Sequence, residues 1–145
     1  MSTREDIASN LVTVISNISS PDVKKVTRQP FELDELSQQQ YPAVLIQTIE
    51  ETKEDQELGS GAKTRLNTLE FGITGFIKGS ESNIDTARNN LASAIETAVE
   101  SDITRSGNAL DTEVVSIETD AGSLFPYGAV LITIRVIYEH QAATP

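Results

Sequence analysis

His140 is the one histidine of the chain, so any chemistry that needs an imidazole depends on it. A catalytic triad requires that ring held between a nucleophile and a carboxylate, and a metal site usually gathers several ligands. Standing five residues from the C-terminus, His140 is expected to be an exposed bystander in a fraying tail. There is no cysteine, which excludes disulfides, zinc–thiolate sites and cysteine nucleophiles. The run GSGAKT (Gly59–Thr64) has some of the composition of a phosphate loop but lacks its spacing, and acidic residues precede it where a P-loop needs an apolar strand. It reads as a flexible hinge. ETDAG (Glu118–Gly122) brings two carboxylates to a turn, where Mg²⁺ or Ca²⁺ is conceivable, but the alternating oxygen ligands of a calcium loop are missing. The structural reading has Asp120 capping a turn and Gly122 in a left-handed conformation. Nothing selects one acid–base pair from the 22 acidic residues. The expectation is therefore no catalytic residue, no cofactor and no metal, and a protein that is not an enzyme.

Two other stretches suit contact better than catalysis. EETKEDQELGSGAKT (Glu50–Thr64) is rich in acids and glycine and has nothing that packs, so a flexible loop is expected over about residues 51–64. Glu51, Glu54, Asp55 and Glu57 are its candidate functional side chains. They read either as a solvated surface or as a segment that orders against a partner. SLFPYG (Ser123–Gly128) puts Phe125 and Tyr127 on a corner held by Pro126 and Gly128. Aromatics on a rigid turn make good interface anchors, although both rings could instead fold onto the chain's own core at the mouth of the last strand.

The elements that must position these residues are legible from periodicity. Ser2 and Glu5 form a capping-box pattern, and Ile7, Leu11, Val14, Ile15 and Ile18 follow as one helical stripe. VKKVTR offers a short strand. YPAVLIQTIE (Tyr41–Glu50) reads as a strand entered through proline, with Val44 and Ile46 on one face and Leu45 and Ile49 on the other. Apolar residues on both faces suit an interior strand or one covered by another subunit. In RLNTLEFGITGFIKG, Leu69, Phe71, Ile73 and Ile77 alternate, and Gly72 and Gly75 point to a bulge or a close backbone approach. A second helix is expected over about 83–101, with Ile84, Ala87, Leu91, Ala94, Ile95, Ala98 and Val99 on one face. TEVVSIETD and GAVLITIRVIYEH are the last two strands. This order predicts an α+β fold, a mainly antiparallel sheet of four to five strands with two amphipathic helices on one face.

The whole-chain totals agree with one domain over residues 1–145, with a short C-terminal tail from about 140. The formal net charge is −11, which disfavours binding to a phosphate backbone. No stretch is apolar enough to span a membrane, and the early Arg4, Glu5 and Asp6 leave no apolar leader segment, so the cytosol is the expected place of synthesis.

Taken in order, REDIASNL, YPAVLIQ, LEFGITGFIK after a charged gap, ARNNLASAIETAVE and IETDAGSLFPYGAVLITIRVIYEH resemble the tail terminator, or tail completion, proteins of long-tailed bacteriophages. Residues 22–40 and 51–64 have no counterpart in that pattern. The resemblance implies a structural virion protein rather than an enzyme. It implies a ring, typically of six copies, on the head-proximal end of the tail tube, which ends tube polymerisation and offers the head-joining surface. Its partners would then be further copies of itself, the tail tube protein, and head–tail connector or neck proteins. Assembly would take place in the host cytoplasm. DNA would pass through without specific binding, and no membrane or cofactor is implied. In such a ring Phe125 and Tyr127 are the candidate subunit or tube contacts, and Glu51, Glu54, Asp55 and Glu57 the candidate acidic lumen or docking loop. Another neck or head–tail adaptor component, or a small adaptor domain that forms no ring, is the alternative.

Overall fold

A computed structural model describes residues 2–19, 21–31, 36, 40–55, 64–78, 83–120 and 126–141. Helix α1 (Thr3–Ser16) begins where Ser2 Oγ accepts the Glu5 backbone N–H at 3.2 Å. The other half of the expected capping box is not made. The Glu5 carboxylate turns instead to Arg28, whose Nη2 reaches it at 3.1 Å, because a guanidinium offers two charge-assisted bonds where the backbone offers one. Strand β1 (Lys25–Thr27) lies parallel to β2 (Ala43–Asp55). Strand β3 (Thr64–Lys78), helix α2 (Ile84–Glu100), β4 (Asp111–Thr119) and β5 (Tyr127–Gln141) complete the chain. The sheet runs β1-β2-β3-β5-β4, and every pair but the first is antiparallel. The fold is α+β.

The alternation read in β3 and β5 fixes which face is buried. Leu69, Phe71, Ile73 and Ile77 on β3 and Val130, Ile132, Ile134, Val136 and Tyr138 on β5 lie with Val44 and Ile46 under the helices. Onto this face come Ile7, Leu11 and Ile15 of α1 and Ile84, Leu91, Ile95 and Val99 of α2. Gly75 is the close approach expected in β3, since a Cβ there would stand 2.6 Å from Leu91 Cδ2. Gly72 serves the opposite face, where its missing side chain leaves room for Ile49 Cδ1 at 2.9 Å.

Two sequence expectations need correction. The stretch expected to be loop from residue 51 is strand as far as Asp55, because a bulge between Thr48 and Glu50 resets the register and pairing resumes at Glu51↔Leu69, ending at Asp55↔Arg65. The bulge also turns the Glu51 side chain to the helix-covered face, where opposite charges receive it. His140 is not in a frayed tail either. Strand β5 continues to Gln141, because β3 supplies partners along its whole length, down to Arg65↔His140 and Thr64↔Gln141.

Candidate functional site

Four elements meet at one end of the covered face. Glu51 of β2 accepts Arg4 Nε at 3.1 Å and Nη2 at 2.7 Å, the Tyr138 hydroxyl at 2.5 Å, and Lys53 Nζ at 3.2 Å. Lys53 goes on to donate to Asn67 Oδ1 at 2.8 Å, and its ammonium stands 3.3 Å from His140 Nε2. Burial pushes the Glu51 carboxyl upward, but the hydrogen bonds from Arg4, Tyr138 and Lys53 outweigh it and bring the group down to about 2. Burial first, and then the bond to Glu51, raise Tyr138 to about 12. A carboxylate held this firmly is a poor general base, and a phenol held this high is a poor acid at neutral pH. The cluster is a clasp that ties the first turn of α1 to the far ends of β2 and β5.

A second polar bolt sits at the opposite end of β5. The buried Arg88 guanidinium of α2 pairs with Asp120, and with Asp85 at 2.9 Å. Asp120 Oδ1 also accepts the Ala129 backbone N–H at 3.1 Å. Asp120 is thereby tied to the start of β5 with a buried cation fixing it there, while the turn that it was expected to cap, and Gly122, lie outside the described residues. Arg105 forms a third. It is fully buried beneath the end of α2 and donates to the Val99 and Asp102 carbonyls, as a base near a helix C-terminus should.

The sequence-derived contact residues are placed as follows. Tyr127 opens β5 and is half-buried, its ring 5.7 Å from that of Tyr41 and its centroid 5.5 Å from Lys78 Nζ. It packs on this chain's own residues. Phe125 lies outside the described residues, as does Glu57. Glu51 points into the clasp, whereas Glu54 is exposed and pairs in register with Leu66. Asp55 ends the strand opposite Arg65, and only its backbone is described. Arg4, Tyr138, Arg88 and Arg105 carried no local signal, because each acquires its role from a partner brought in by the fold.

What the sheet leaves open is more suggestive of function than any cluster. The face away from the helices carries Glu50, Glu70, Glu118 and Glu139, with Glu113 paired to Arg135 at 3.1 Å. Among the described residues the large exposed apolar side chains gather at the two sheet edges: Ile49 on β2, and Ile103, Leu110, Val115 and Ile117 along β4 and its approach, all between 42% and 56% exposed. Between α1 and α2 lies a shallow cleft of about 760 Å³ lined by Val14, Ile18, Pro21, Asn90, Ala94 and Ala98, with no titratable side chain among them. Among the described residues no group of three His, Cys, Asp or Glu could hold a metal, and no helix is long and apolar enough to cross a membrane.

No protein-family model matches the chain, and no curated protein does. In three dimensions it is similar to a chain of the virion of a native gene transfer agent (GTA) particle. That likeness has a TM-score of 0.52 at 12% identity and covers 96% of this chain and 92% of the other. It is a likeness of fold that extends over nearly the whole length of both chains.

Proposed function

We propose that this protein is a structural component of a phage-like virion, and within it the ring that closes the head-proximal end of the tail tube. The observation that carries the reading is the end-to-end match of fold to a virion chain, with almost nothing of either chain left over. We read the role as a non-enzymatic one. The most tightly coupled carboxylate is spent on an internal clasp, and the open cleft offers no titratable group. A sheet with apolar side chains at both edges suits repeated contact between copies, and the acidic open face suits a passage through which DNA slides without adhering. The ring would be hexameric, with the tube protein on one side and neck proteins on the other.

Removal of the gene from a particle-producing strain tests this. Tails of uncontrolled length and heads without joined tails are the expected result, with both restored by complementation. Particles with tails of normal length, normally joined, would refute it.

A further inference from the structure

An edge strand offers a row of unpaired backbone donors and acceptors, and what fits it is another strand. Among the described residues β4 is such an edge from Asp111 to Glu118. The opposite edge is only partly closed. Strand β2 has 13 residues, and among the described residues its outer edge is covered only from Ala43 to Leu45, by β1, which leaves Ile46–Asp55, a run about as long as β4. From Gln47 to Glu54 that run is exposed, except Glu51 in the clasp. The apolar side chains mark the same two places, with Ile49 on the β2 edge and Val115 and Ile117 on β4. Leu110 and Ile103 are fixed beside β4 by the Leu110 N–H to Ile137 O bond at 2.7 Å and the Thr112 Oγ1 bond to Ile103 O at 2.8 Å.

We propose that the β4 edge of one copy pairs antiparallel with the Ile46–Asp55 run of a second copy, making a head-to-tail seam. The directions fit. Strands β2 and β4 already run opposite ways within one sheet, because β2, β3, β5 and β4 alternate in direction. A neighbour related by rotation about an axis along the strands presents its β2 antiparallel to β4 without being turned over. The two edges differ, so the contact repeats around a ring and has no need of a two-fold axis. Their carboxylates oppose it. Glu113 and Glu118 on β4 would face Glu50 and Glu54 on β2, and like charges across a strand pair are unfavourable. The seam is thus guarded against premature pairing, and it strengthens as salt screens those charges.

The proposal rests on the ring reading and names its contact. The chain lacks cysteine, which makes disulfide trapping clean. Within one chain, β2 and β4 are separated by β3 and β5, about 14 Å at about 4.8 Å per strand. That is beyond the roughly 7 Å that a disulfide spans between Cα atoms. A bond between them must therefore join two copies. Full-length Ile117→Cys, or Val115→Cys, is mixed with Thr48→Cys, Ile49→Cys or Glu50→Cys, and oxidised at rising salt. The expected result is a mixed dimer from at least one pairing, in excess of either homodimer and increasing several-fold with salt. The cysteines replace exposed side chains, and thermal melting checks that each variant is folded. Homodimers of the β4 variants alone would overturn the seam in favour of a two-fold contact. Oligomers seen by light scattering without any mixed dimer would overturn the seam but leave the ring standing. A protein monomeric at every salt concentration, even with tubes present, would overturn both.

Discussion

A carboxylate that accepts hydrogen bonds from a guanidinium, an ammonium and a phenol stabilises the fold most while it is charged. Glu51 is that group, and its folded pKa of about 2 lies below the ordinary 4.5. Its contribution is therefore complete above about 4.5 and is lost as pH falls toward 2. Glu51→Gln should lower stability at neutral pH by on the order of 2–3 kcal/mol and flatten the acid limb of the stability curve. Denaturant titrations at a series of pH values check this, and an unchanged acid limb would remove Glu51 from the account. Glu51→Lys is harsher, because it sets a third cation beside Arg4 and Lys53 in a half-buried site. A loss of about 3–5 kcal/mol is expected, enough to unfold many domains. None of this was legible in the sequence. Glu51 sits in an acidic run that resembles any solvated loop, and its meaning depends on Arg4, 47 positions away, and Tyr138, 87 positions away.

At the scale of elements, α2 meets the sheet through a gap that only glycine leaves. Gly75→Ala would drive a methyl to 2.6 Å from Leu91 Cδ2, so a cost of about 1–3 kcal/mol is expected. In a Leu91→Ala background the clash is gone, and the penalty at residue 75 should shrink, giving a non-additive cycle measurable by thermal unfolding. Equal penalties in both backgrounds would mean that the cost at residue 75 does not arise from Leu91. The two helices and the long strands β3 and β5 were legible because their periodicity is local, 3.6 residues in one case and two in the other. The glycine approach in β3 was also legible. The end of β2 was not, because a bulge is a property of two strands and neither sequence announces it. Nor does VVSI in β4 say that it will be an edge, since that follows from strand order.

At the scale of the whole molecule, charge and shape divide the protein into a helix-covered side and an open acidic side. If the open side lines a passage for DNA, replacing Glu70 and Glu118 with lysines should leave stability within about 0.5–1 kcal/mol, because both lie off the core. The same change should slow DNA release from particles most at low salt, where phosphate contacts are strongest. Release at the normal rate would place that face elsewhere. Electron cryo-microscopy of tubes polymerised with the purified protein decides whether it forms the proposed ring at the end of the tail tube. One closed ring of copies is expected at one end of each tube, with tubes that no longer grow from that end. Bare tubes that elongate as before, beside a protein that stays monomeric, would contradict it.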